Sequence, residues 1–120
     1  MAMGCGRVFE GTKPQMWESL QKLRVLPPDT VICSGHEYTA ANARFAATID
    51  PSNPRLISRM EEIDAARAAG RYTVPSMLRD ELDTNPFLRP DDPTVQDHLG
   101  MTGASTADVF TEIRNRKDNF

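Results

Sequence analysis

Gly35-His36-Glu37-Tyr38 comes directly after a short β-branched run and directly before an alanine-rich stretch. That order puts an imidazole at the carboxyl end of a strand, the edge where open α/β folds build their sites. His36 is therefore a candidate metal-ligating or catalytic residue, with a hydrogen-bonded structural histidine as the competing reading. Tyr38 beside it either meets a polar group of a ligand or closes over the core. Arg114 and Lys117 stand three residues apart, on one face of a helix. An arginine fork beside a lysine point charge can clamp carboxylates; the same cations can instead offset the negative end of the helix dipole. Arg7, in the glycine-rich Gly4-Cys5-Gly6-Arg7 opening, meets an anion or faces solvent. His98 lies on the polar turn Gln96-Asp97-His98-Leu99 and reads as a solvated or capping histidine. Cys5 and Cys33 are too few for a disulfide framework and belong to no C-x-x-C pair. They read as reduced, buried, intracellular thiols and not as a thiolate metal site.

The elements that must carry these side chains follow from proline, glycine and apolar spacing. Thr12 caps and Pro14 opens a helix over about 14–25, with Met16, Trp17, Leu20 and Leu23 on its inner face. Pro27-Pro28-Asp29 stops it, and Thr30-Val31-Ile32-Cys33 reads as a buried strand. An alanine-rich helix follows over 39–49. Asn53-Pro54 opens another, with Leu56, Ile57, Met60 and Ile63 inward and Gly70 closing it. Thr73-Val74-Pro75-Ser76 leads into a short helix that ends before Asn85-Pro86-Phe87-Leu88. Pro93 opens a short turn ending near Gly100. Ser105 and Asp108 resemble a capping box for a last helix with Val109, Phe110 and Ile113 inward. Only one strand is convincing, and one strand cannot form a sheet. It should be an unpaired edge that invites self-association.

Composition narrows the function classes. The 120 residues carry 14 basic and 17 acidic side chains, a net charge of −3, with a pI near 5.3. That balance argues against a nucleic-acid partner. The mean hydropathy of −0.48, with no apolar run long enough to span a bilayer, argues against a membrane one. At 39% apolar and 26% charged the chain is too apolar to be disordered and reads as a soluble, cytoplasmic domain. The acidic excess lies wholly in residues 91–120, yet Arg114, Arg116 and Lys117 crowd into four positions there.

Five strings occur in order along nearly the whole chain: Gly4-Cys5-Gly6-Arg7-Val8-Phe9-Glu10-Gly11-Thr12, Gly35-His36-Glu37-Tyr38-Thr39, Thr73-Val74-Pro75-Ser76, Asn85-Pro86-Phe87-Leu88-Arg89, and Arg114-x-x-Lys117-Asp118. Together they resemble glyoxalase II, the hydroxyacylglutathione hydrolases, in a bacterial form. The resemblance implies a metallo-β-lactamase-like αββα sandwich followed by a helical domain. It also implies hydrolysis of S-lactoylglutathione to lactate and glutathione at a centre of two divalent metals, zinc first, with iron or manganese as alternatives. Carried over residue by residue, His36 matches one ligand of the second metal. Arg7, Tyr38, Arg114 and Lys117 match glutathione-binding positions. Phe9 matches one that is tyrosine in some members, so a hydroxyl contact is lost there.

The likeness covers the family's C-terminal half. The T-H-x-H-x-D-H metal motif, a later histidine and a bridging aspartate are not in this sequence. The expected fold is mostly α with a short β remnant: residues 1–37 as the terminal elements of the sandwich, 38–120 as the helical domain. The expected function is the substrate-holding portion of the hydrolase, contributing one metal ligand and inactive alone. A non-catalytic helical module that binds glutathione or another protein is the alternative.

Overall fold

Capping side chains, three of them followed by a proline in the first turn, mark where four of the six α-helices begin, in a computed structural model that describes residues 1–120. The elements are α1 (Lys13–Arg24), β1 (Val31–Ile32), α2 (Thr39–Ile49), α3 (Pro54–Ala68), β2 (Ser76–Met77), α4 (Leu78–Thr84), a 3₁₀ turn (Pro86–Leu88), α5 (Pro93–His98) and α6 (Thr106–Asp118). The chain is thus mostly helical with one two-stranded sheet. Thr12 and Gln15 form a reciprocal capping box at α1. Ser105 Oγ accepts from the Asp108 amide at α6. Asp92 and Asn53 do the same for α5 and α3, each just ahead of a proline. Gly70, with φ +70°, closes the turn after α3, a backbone region glycine enters without steric cost.

Asn53 ties more than its own helix. Its Oδ1 accepts from the Arg55 and Leu56 amides, and its Nδ2 donates to Asp50 Oδ2 and to the Asp83 carbonyl, both at 2.8 Å. Loss of such a cap costs about 1–2 kcal/mol. Asn53→Ala should therefore lower Tm by roughly 4–8 °C in a thermal melt, at about 4 °C per kcal/mol for a chain of this size.

The core is built mainly from α1, α2, the 3₁₀ turn and α6. Trp17, Leu20, Phe45, Ile49, Phe87, Leu88, Val109, Phe110 and Ile113 form one buried cluster, joined by Leu78, Val95 and Leu99. Trp17 stacks on Phe110 at 5.7 Å and its indole N–H donates to Thr106 Oγ1 at 3.1 Å, so α1 is locked to α6. A smaller cluster of Met3, Ala43, Ala46, Leu56 and Ile63 joins the opening loop to α2 and α3. The accessible surface is 6668 Å², close to the roughly 6,500 Å² of a folded protein of this mass.

Several expectations from periodicity fail at particular side chains. The strand is not unpaired: β1 runs antiparallel to β2, with Val31 opposite Met77 and Ile32 opposite Ser76. The second strand is two residues long and lies within the lead-in to a helix, so it has no periodicity of its own. Nor is the strand buried. Val31 is 56% exposed and Cys33 lies exposed beyond the pairing, and of the strand only Ile32 packs against the core. Leu23 and Ile57 also point outward, at 40% and 48% exposed. On α3 the inward position next to Leu56 is taken by Arg59, buried and paired with Glu81. Both cysteines are free, but only Cys5 is partly buried.

Candidate functional site

The opening loop, the start of α2 and the end of α6 meet around the largest cavity, about 610 Å³. Its walls are Cys5, Gly6, Arg7 and Phe9 from the loop, Tyr38, Ala41 and Asn42 from α2, and Arg114 and Lys117 from α6. Arg7, Phe9, Tyr38, Arg114 and Lys117, singled out from the sequence, thus share one cavity. His36 is not in its wall but stacks on Tyr38, with ring centroids 5.2 Å apart and planes 3° from parallel. His98 stands elsewhere: its Nε2 donates to the Thr48 carbonyl at 2.9 Å, tying α5 to α2.

The loop reaches α6 because of a dense set of polar contacts. Asn85 Nδ2 donates to the Gly4 carbonyl at 2.9 Å, and Asn42 Nδ2 donates to the Ala2 carbonyl at 3.1 Å. Gly4 passes so close to Asn42 that a Cβ there would lie 2.7 Å from Asn42 Nδ2, which only glycine avoids. Arg114 completes the attachment. Its Nη1 donates to the carbonyls of Cys5 and Gly6 at 3.0 and 3.3 Å. Its Nε and Nη2 donate to Asp118 Oδ1, and the guanidinium lies 5.0 Å over the Phe87 ring. At 2% exposed, Arg114 is a buried tie with its fork engaged inside the protein.

Lys117 is the opposite case. Its Nζ rests over Phe45 and Phe120 at 5.5 and 5.4 Å. No carboxylate lies within 4.0 Å of it, of Arg7 or of Arg44. Burial holds the Lys117 ammonium below its ordinary pKa, reinforced by the charges of Arg114, Arg7 and Arg44 and only partly opposed by Asp118. This corner of the cavity is electropositive and short of anions. Cys5, on the same wall, has its thiol pushed up by burial, with Arg114 pulling the other way. It is a poor thiolate.

Phe9 is 87% exposed and Tyr38 63% exposed, so both rings offer surface to a ligand. Tyr38 is also the N-cap residue of α2, and its side chain makes no capping bond. Glu37 points away from the cavity, where its carboxylate accepts from the amide and hydroxyl of Thr73, both at 2.5 Å, with Arg67 at 3.8 Å. Burial pushes the Glu37 carboxyl up, but those Thr73 hydrogen bonds and Arg67 outweigh it and hold it below its ordinary pKa.

The residues fit a metal only in part. His36 is exposed and no side chain or backbone group hydrogen-bonds its imidazole, which suits a ligand. A catalytic zinc takes about three protein ligands, however, and no group of three His, Cys, Asp or Glu converges in residues 1–120. This chain's residues alone do not assemble a complete metal centre.

Three cavity-side residues lie outside the set that residue types suggest for binding: Cys5, Asn42 and, near Lys117, Arg44. Arg44 carried a signal, since positions 40, 41, 47 and 48 hold no acid to pair with it along the helix. Asn42 carried none, because its role depends on a loop 40 residues away.

Residues 37–120 match the family model for the hydroxyacylglutathione hydrolase C-terminus. Over all 120 residues the chain is 66% identical to the hydroxyacylglutathione hydrolase of Jannaschia sp. (strain CCS1) and 65% identical to that of Roseobacter denitrificans, covering 47% of each. It is 55% identical over 119 residues to the enzyme of that name from Methylococcus capsulatus, covering 46% of it. The chain therefore spans about half the length of the curated relatives it matches. It belongs to the hydroxyacylglutathione hydrolase family and corresponds to the C-terminal part of those relatives.

Proposed function

We propose that the cavity between the opening loop, α2 and α6 holds the glutathione part of a thioester. The parent activity would be hydrolysis of S-lactoylglutathione to lactate and glutathione. The observation that carries this reading is the pair of cations without a carboxylate partner, Arg7 and Lys117, on the wall of one cavity. Glutathione ends in two carboxylates, which such cations recognise by charge-assisted hydrogen bonds. Lys117 serves as a point charge and Arg7 as an exposed fork. Tyr38 offers a phenol to the peptide backbone of the ligand, and Phe9 offers ring surface alone. Arg114 acts on the same site through the Cys5–Gly6 wall that it holds. Fixing both ends of glutathione orients the thioester carbonyl for attack, which lowers the barrier by proximity.

In the same reading, residues 1–37 are the terminal elements of a metallo-β-lactamase-like sandwich, and His36 is one ligand of a two-metal centre of zinc, iron or manganese. Such a centre supplies hydroxide near neutral pH and polarises the thioester carbonyl. The 120 residues on their own should bind without turnover.

Calorimetric titration of the chain with non-hydrolysable S-methylglutathione tests the proposal. Saturable binding is expected, and Lys117→Ala should weaken it roughly tenfold. That is about 1.4 kcal/mol, the low end for a charged hydrogen bond because solvent screens a half-exposed site. The pH dependence follows from the depressed Lys117 pKa. Binding should be retained below that pKa and weaken as pH rises through it, earlier than with an ordinary lysine. A docked carboxylate favours the ammonium, so binding at alkaline pH should take up protons. Absence of binding, or an affinity indifferent to Lys117→Ala and to pH, would sink the reading.

A further inference from the structure

The loop that carries His36 has almost nothing of its own to hold it. No backbone–backbone hydrogen bond involves residues 33–37. The β1 pairing ends at Ile32, and α2 begins at Thr39 with no side-chain cap from its N-cap residue Tyr38. Only Ser34 and Glu37 hold it, through their side chains. Ser34 Oγ accepts from the Ala2 amide at 3.2 Å, and Glu37 accepts from Thr73, with Arg67 at 3.8 Å as a looser ion-pair partner. The second is the stronger, because an ionised carboxylate takes two donors from one residue. Thr73 sits just ahead of β2, so the same short segment pairs with β1 before the loop and grips Glu37 after it. His36 and Tyr38, stacked on each other, flank the gripped residue.

We propose that Glu37 is a positioning residue for the candidate site: its carboxylate, anchored on Thr73, sets where His36 and Tyr38 stand. The binding part of this inference rests on the glutathione reading of the cavity. The ring geometry does not. Without the anchor, residues 33–37 keep only the Ser34 contact and the two rings lose their common placement. A substrate-side phenol and a candidate metal-side imidazole are thereby set by one acid that touches neither ligand.

The test uses the whole chain, with ring-current shifts of His36 and Tyr38 read by NMR beside S-methylglutathione affinity and Tm. Glu37→Ala should abolish the mutual ring-current shifts and weaken S-methylglutathione binding by roughly tenfold, equivalent to about 1.4 kcal/mol, while the core methyl signals keep their dispersion. Glu37→Gln keeps an oxygen that accepts from Thr73 and should restore most of both readouts. Thr73→Val removes the hydroxyl donor alone and should give a partial loss; it carries the test if Glu37→Ala fails to fold. A lowered Tm with unchanged ring shifts and unchanged affinity, in Glu37→Ala or Thr73→Val, overturns the proposal. If the wild-type chain does not bind S-methylglutathione, the glutathione reading falls, and the ring shifts still decide the anchor.

Discussion

Glu81→Ala should cost the fold about 3–5 kcal/mol, the range for leaving one partner of a buried ion pair alone. Glu81 is completely buried. Its carboxylate accepts from Arg59 Nη2, from the Met3 amide at 2.9 Å, and from Ser76 Oγ and Asn85 Nδ2, both at 3.0 Å. It therefore joins α3, β2, the turn after α4 and the opening loop at one point. Alanine leaves the Arg59 charge buried with only Thr84 as partner, and strips an acceptor from three other donors. Set against the usual 5–15 kcal/mol of total stability, the loss brings the chain near its unfolding threshold. Urea unfolding at constant slope should show it as a large drop in midpoint. Glu81→Gln keeps one acceptor oxygen and should lose less. Replacing both members with apolar residues of similar volume, as in Arg59→Met with Glu81→Leu, should recover much of the deficit, because neither charge then remains unpaired. A near-neutral Glu81→Ala would mean that the opening loop is not held by this network.

Arg114→Ala should lower stability by about 2–4 kcal/mol, combining a cavity beside Phe87 with two carbonyls left without a donor. Asp118 is partly exposed and rehydrates, so the loss is smaller than for Glu81. The midpoint of thermal unfolding should fall by roughly 8–16 °C. Arg114→Lys should not rescue it, since one ammonium cannot reach the Cys5 carbonyl and Asp118 together. Binding of S-methylglutathione should fall as well, because the Cys5–Gly6 wall detaches from α6. Lys117→Ala should behave differently, weakening binding with little change in Tm. The two cations of the Arg114-x-x-Lys117 string would then be separated by experiment into a structural tie and a ligand contact. An Arg114→Ala protein of unchanged Tm but lost affinity would return Arg114 to direct contact with the ligand.

The local parts of this molecule were readable from residue types. Thr12, Asn53 and Ser105 cap where capping chemistry says they should, and α2 spans residues 39–49 as expected. What failed depended on which neighbour happened to be present. Ile57 and Leu23 lie at the rims of their apolar stripes and face solvent, while Arg59, at i+3 from Leu56, faces in because Glu81 waits there. Helical spacing put Arg114 and Lys117 on one face but could not tell that the loop carbonyls at Cys5 and Gly6, 109 and 108 residues away, would bury only the first. Strand β2 was invisible because two residues carry no periodicity. The cavity itself joins residue 5 to residue 117, and no spacing rule spans that distance. Only the family resemblance groups its walls.

Residue-resolved NMR of the chain titrated with S-methylglutathione asks directly whether that cavity is the glutathione site. The account predicts shift changes at Arg7, Phe9, Tyr38 and Lys117 that saturate together, with a smaller response at Cys5 and Gly6. Saturable changes centred instead on the polar cavity of Thr39, Arg59 and Ser76, or on the groove of Leu26, Val31 and Leu78, would contradict it, as would a spectrum that does not change at all.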